Sequence, residues 1–174
     1  MIKKRLSLTF GGLVLLAWGL VLSTASAEAG LATPKGAVIL RVLGDIEHTN
    51  QDAAAVFDRD MIEALGMETL VTTTPWTDGE VTFEGVRATR LLEQLGEHGR
   101  HVLARALNDY TVEIPADDLE AKDLFLALKM DGRYLRVRDK GPIWAIYPFS
   151  RRPELNTPVY HNRAIWQLQQ LEFN

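Results

Sequence analysis

Cysteine is absent from all 174 residues, and yet the chain opens like one that leaves the cytoplasm. Lys3, Lys4 and Arg5 precede an apolar stretch from Leu6 to Leu22, broken only by Ser7, Thr9 and three glycines. Ala25-Ser26-Ala27 then supplies small residues at the spacing of a cleavage site. The pattern predicts a signal peptide over residues 1–27. There is no twin-arginine pair ahead of the apolar run, so it predicts Sec-type export to the periplasm. An uncleaved anchor is the competing reading, because the apolar run approaches the length that crosses a bilayer. An exported domain without disulfides must rest on its hydrophobic core. It also has no thiolate to serve as nucleophile or metal ligand. Zinc ribbons, iron–sulfur clusters and cysteine hydrolases are excluded on that ground.

The remaining length suits one domain, placed at residues 37–174 behind a flexible stretch at 28–36. Residues 28–174 carry 16 basic and 23 acidic side chains. An acidic surface argues against nucleic acid and anionic lipid, which select clustered Lys and Arg.

Apolar periodicity divides that domain into short pieces. Strands are predicted at Ala37–Leu43, Thr69–Thr74, Val81–Phe83, Val102–Leu107, Tyr110–Ile114, Leu124–Met130, Arg133–Val137, Ile143–Tyr147 and Ala164–Phe173. Helical spacing of Ala53, Val56, Phe57, Met61, Ala64 and Leu65 predicts a helix over 52–65, stopped by Gly66. A second helix is predicted from Arg87 to Leu95, stopped by Gly96, and a helical turn at Asp117–Leu119. Asp131-Gly132 reads as a hairpin turn. Arg151 to Asn162, with Pro153 and Pro158, reads as loop. The sum is an α+β, mainly β domain: a mixed sheet with a few short helices.

No self-contained catalytic set is visible. Ser150 is the only serine beyond residue 27, and no nucleophile elbow surrounds it. His98 and His101 flank Gly99, which favours a solvated loop over a metal pair. What stands out is aromatic and arginine density in three segments: Thr72–Thr77 with Trp76, Trp144–Arg152, and Tyr160–Trp166. Aromatic planes suit a flat heterocycle, and guanidinium forks suit carbonyl or phosphate oxygens. Trp144 and Trp166 also read as core residues on strands. Arg151 and Arg152 read equally as solvated charge or ligand anchors. Trp76, inside a Pro/Thr/Asp/Gly turn, reads as functional.

Several segments follow one another in the order of a known family. Phe83-Glu84-Gly85-Val86 leads to Leu91-Leu92. Ala106-Leu107-Asn108-Asp109-Tyr110 is followed by Ile114-Pro115, and Leu126-Ala127 by Asp131-Gly132. Gly141-Pro142-Ile143-Trp144-Ala145-Ile146-Tyr147-Pro148 and Arg163-Ala164-Ile165-Trp166-Gln167-Leu168 complete the series. Over about residues 69–173 the chain resembles sulfite-oxidase-type molybdopterin-binding domains, and within them the small periplasmic pterin-binding proteins.

The resemblance implies the sulfite-oxidase-type fold. It also implies a neopterin- or monapterin-like pterin as ligand, and the periplasmic region of a membrane sensor as partner. That sensor is a diguanylate cyclase–phosphodiesterase or a histidine kinase, linked to cyclic di-GMP and biofilm control. Enzymes of the superfamily hold molybdenum through a Cys near the segment that is Thr72–Trp76 here, so no molybdenum is expected. On this basis Trp76, Trp144 and Tyr147 are candidate stacking or walling groups. Arg151, Arg152 and Arg163 are candidate ligands to pterin oxygens or ring nitrogens, and Thr74 and Tyr160 candidate hydroxyl donors. Two other readings stay open: a molybdopterin-dependent oxidoreductase or accessory subunit, and a ligand-free interaction domain.

Overall fold

A computed structural model of the protein describes residues 30–96 and 99–174. The signal segment expected at 1–27 and the metal reading of His98 fall outside the described residues.

The chain enters on β1 (Val38–Gly44), whose buried Leu40 and Val42 alternate with half-buried neighbours. It returns antiparallel as β2 (Ala55–Asp58), every residue of which is buried. The helix expected over 52–65 is therefore only its second half, α1 (Arg59–Ala64). A segment buried on all sides has no polar face, so helical spacing there arises by default. The Asp58 carboxylate ends the strand and caps the helix. It accepts from Met61 N–H at 2.9 Å and from the Lys35 and Gly36 N–H groups at 2.7 Å each. These bonds hold its pKa below the usual carboxylate value, Gly36 contributing most. They also tie down part of the 28–36 stretch expected to be flexible, and Leu31 packs against the core.

Next come β3 (Glu68–Thr73) and β4 (Glu80–Arg87), paired antiparallel, then α2 (Ala88–Leu95). Helix α2 ends at Gly96, whose φ of 57° is the left-handed cap that glycine adopts without strain. β5 (His101–Ala106) and β6 (Thr111–Pro115) form a hairpin, and α3 (Ala116–Ala121) follows. β7 (Phe125–Met130) turns through Asp131-Gly132 into β8, which is only Arg133–Tyr134. β9 (Trp144–Ile146) pairs with the other half of β7. The segment 151–162, expected as loop, instead holds a short 3-10 turn and α4 (Pro158–Arg163). The last strand, β10, begins at Leu168 rather than at Ala164.

Two five-stranded sheets result. One runs β2-β1-β10-β5-β6, with β1 and β10 parallel; the other runs β3-β4-β7-β8, with β9 also on β7. A large apolar core fills the space between helices and sheets. A second cluster of Leu70, Phe83, Phe125, Ala127, Leu135, Trp144 and Ile146 lies on the other sheet. Gly141 is the point of closest approach there: a Cβ on it would lie 2.1 Å from the Leu135 carbonyl oxygen. Trp76 packs against both clusters, so the seam between them is where the site forms.

Candidate functional site

At that seam is an open cleft of about 320 Å³. It is a size that holds a small fused ring system, at the low end of the roughly 300–1,000 Å³ typical of ligand sites. Trp76 and Trp166 form aromatic walls, their ring centres 5.3 Å apart and edge to face. His161 lies 6.1 Å from the Trp76 ring, and Asn108, Tyr110 and Asn162 supply polar lining.

Local chemistry fixes each wall. The Thr74 hydroxyl accepts from Trp76 N–H at 3.2 Å and shares a 3.0 Å bond with the Thr77 hydroxyl. This turn presents Trp76. Trp144, buried behind it at a centroid distance of 5.9 Å, donates its indole N–H to the Ala164 carbonyl. Tyr110 donates its hydroxyl to the Asn162 carbonyl at 3.2 Å, closing one side. His161 Nε2 is 2.7 Å from Asn156 Oδ1, which orients the ring. The Asn162 amide and the indole N–H groups of Trp76 and Trp166 have no hydrogen-bond partner among the described residues. The cleft therefore offers flat apolar faces with uncommitted polar groups at its walls, and no Lys or Arg lines it.

Of the eight residues expected from the sequence, only Trp76 lines this cleft. Trp144 and Tyr147 are fully buried, so they are walls at second remove, not stacking surfaces. Thr74 is the turn that holds Trp76. Tyr160 packs edge to face on Tyr147, ring centres 5.2 Å apart. Arg163 donates to the Asp118 carboxylate at 2.6 Å, and its guanidinium lies 5.5 Å from the Tyr160 ring centre. Arg152 donates to the Ala121 carbonyl at 2.6 Å and to Glu154 at 2.9 Å, holding the Glu154 pKa below its usual value. Both arginines are thus engaged in tying α3 to the loops beyond β9. Arg151 is exposed and away from the cleft. The Tyr147 hydroxyl has no partner among the described residues, and burial, followed by the Asp118 charge, pushes its pKa far above that of an ordinary phenol.

Sequence reasoning missed Trp166 as a wall, taking it for a strand core residue, and missed Asn108, Tyr110 and His161. The dense run Tyr160–Trp166 was the signal. Its reading as loop and strand hid the fact that α4 and the turn after it face the Ala106–Tyr110 corner.

The sequence matches the model of the oxidoreductase molybdopterin binding domain over residues 43–150. That is more than half of the chain, and the protein belongs to this family. Among solved structures, the sulfane dehydrogenase SoxCD from Paracoccus pantotrophus shares the fold, with a TM-score of 0.58 at 16% identity. The alignment covers 77% of this chain and 37% of that one, so the chain spans little more than a third of its length. The sulfite-oxidase-type fold is thereby established. No curated protein matches the sequence.

The family name implies a molybdenum–pterin group, and the residues present fit only part of it. Thiolate ligation is impossible without Cys. In the loop where the resemblance places that ligand, Thr72 accepts from Ser150 N–H at 3.0 Å, and Thr73 N–H donates to the Ser150 hydroxyl at 2.9 Å. No group of three or more His, Asp or Glu able to hold a metal occurs among the described residues. A phosphate tail would meet no cation in the cleft lining. A flat heterocycle with an amide-like edge does fit.

Proposed function

We propose that the chain is a non-enzymatic, PruR-like periplasmic module that binds a free pterin. It passes the presence of that pterin to the periplasmic region of a membrane sensor governing cyclic di-GMP. The observation that carries the reading is the cleft itself: two indole walls, amide and indole N–H groups free to bond a ligand, and no Cys, Lys or Arg among its lining residues. A pterin bicycle presents a planar face for Trp76 or Trp166. Its pyrimidine edge carries donors and acceptors that match the Asn108 and Asn162 amides. Binding needs no proton transfer.

The test is release and identification of the small molecule carried by protein purified from the periplasm. A stoichiometric neopterin- or monapterin-like compound without molybdenum is expected. Stoichiometric molybdenum would favour an oxidoreductase or accessory subunit instead. No released pterin, together with no binding of added neopterin, would overturn the reading and leave an interaction domain.

A further inference from the structure

We infer that the loop from Arg133 to Lys140 docks a short acidic segment of a protein partner, and that Gln167 joins this surface mechanically to the cleft. The second half rests on the cleft being a ligand site; the first does not.

Residues 129–140 hold five basic and two acidic side chains, the reverse of the acidic balance in the rest of the domain. Arg133, Arg136 and Arg138 are all exposed. Among the described residues the acid they pair with is Asp139: Arg136 bonds to it, and Arg138 lies 3.9 Å from it. Arg133 has no ion pair among the described residues. Between the arginines stand Tyr134, 43% exposed, and Val137, 54% exposed. The Tyr134 ring is held in place by Arg59 and Lys129, 4.5 and 4.8 Å from its centre, and by a 2.7 Å bond to Glu63. An open groove of about 420 Å³ runs among Met130, Arg133, Tyr134, Leu135, Arg136 and Asp139.

The chemistry selects the partner. Arginine and tyrosine are the residue types that concentrate in protein interfaces, and guanidinium forks match carboxylates bidentately. Exposed Tyr and Val favour apolar side chains, which a sugar–phosphate backbone or a layer of lipid headgroups does not present. The acidic remainder of the domain repels both of those polyanions beyond the loop. A short acidic stretch carrying an apolar residue or two satisfies charge and surface together.

The link to the cleft is direct. The Gln167 N–H donates to the Lys140 carbonyl at 2.9 Å, and its side-chain amide donates to the Val137 carbonyl at 2.7 Å. Its own carbonyl accepts from Leu107 N–H at 2.9 Å, beside cleft residues Ala106 and Asn108. Gln167 holds a left-handed φ of 56°, a costly conformation for a non-glycine residue. Its chain neighbour is Trp166, and the Lys140 ammonium lies 5.0 Å from that ring's centre. A ring seated against Trp166 therefore presses on the residue next to the pin that holds the basic loop.

The test is fluorescence anisotropy with a short fluorescein-labelled peptide rich in Glu and Asp and carrying Tyr and Val, alongside a Lys-rich control. Wild type should bind the acidic peptide, more weakly as salt rises, and not the control. The triple reversal Arg133→Glu/Arg136→Glu/Arg138→Glu should weaken binding at least about tenfold. Its unfolding midpoint should move only slightly, because all three side chains are exposed and the pairs lost to Asp139 lie at the surface, where ion pairs contribute little. Saturating neopterin should change peptide affinity by about fivefold or more, and Gln167→Ala should abolish that change. Unaltered peptide affinity in the triple variant would overturn the docking surface. So would phosphatidylglycerol vesicles or duplex DNA binding as tightly as the peptide. Charge-dependent peptide binding indifferent to neopterin, in protein shown separately to bind neopterin, would overturn the coupling. If the protein takes up no neopterin, the cleft reading fails, and the peptide arm still decides the docking surface.

Discussion

The cleft around Trp76 and the clamp around Arg163 come from the same aromatic- and arginine-rich segments of the sequence, and they differ in how far their polar groups are satisfied. In the cleft, the Asn162 amide and the indole N–H groups of Trp76 and Trp166 have no hydrogen-bond partner among the described residues. In the clamp, Arg163 is closed on Asp118 at 2.6 Å, Tyr160 on Tyr147, and Arg152 on Ala121 and Glu154. Aromatic and arginine density marks both regions in the sequence. What separates binding from structure is whether the polar groups are already satisfied.

The largest effect should come from breaking the clamp. Asp118→Ala leaves a mostly buried guanidinium without its carboxylate. It should lower unfolding free energy by about 1.5–3 kcal/mol, the usual range for a lost hydrogen bond to a charged group. Pterin affinity in the folded protein should stay within about twofold, since that change amounts to only ~0.4 kcal/mol. Urea unfolding alongside calorimetric titration reads both quantities. A large affinity loss with unchanged stability would reverse the assignment of the two regions.

Trp76→Ala acts on the cleft instead, and it also costs stability because the ring packs against both clusters. Loss of one stacking surface is worth about 1–3 kcal/mol for a planar base, so neopterin affinity should fall roughly 5- to 150-fold. Trp166→Ala should show a similar loss. If both variants bind as wild type does, the cleft is not the ligand site.

Tyr147→Phe sharpens the contrast at smaller scale. It removes a buried hydroxyl that has no partner among the described residues, so stability should hold or rise by up to about 1 kcal/mol. Ligand affinity should not move. Loss of binding in this variant would show that the hydroxyl reaches the ligand.

The smallest effect concerns pH and lies far from either region. Asp58 has its pKa lowered in the folded state, so its contribution is present above the ordinary value of 3.8 and is lost as pH falls below it. Asp58→Asn should flatten the acid limb of a stability–pH curve, measured by thermal unfolding. An unchanged acid limb would show that those three backbone bonds do not control it.

Much of the fold was legible in the sequence because its signals are local. Gly96 stops α2, Asp131-Gly132 turns β7 into β8, a β-branched apolar run marks β1, and alternation marks β6. The helix over 52–65 was half wrong because Ala55–Phe57 is apolar on every side, and periodicity does not distinguish a buried strand from a helix there. Helix α4 was missed because Pro158 was read as a breaker, although proline suits the first helical position. The cleft was mostly illegible for a different reason. Trp76, the Ala106–Tyr110 corner and His161–Trp166 meet only through long-range packing and the β5–β10 pairing, which no window of the sequence contains.

The most direct test is one calorimetric series: neopterin titrated into wild type, Trp76→Ala and Arg152→Ala. The account predicts one pterin per chain in wild type, at least about fivefold weaker binding in Trp76→Ala, and wild-type affinity in Arg152→Ala. Binding that survives Trp76→Ala and is lost in Arg152→Ala would contradict it and move the ligand to the arginine clamp.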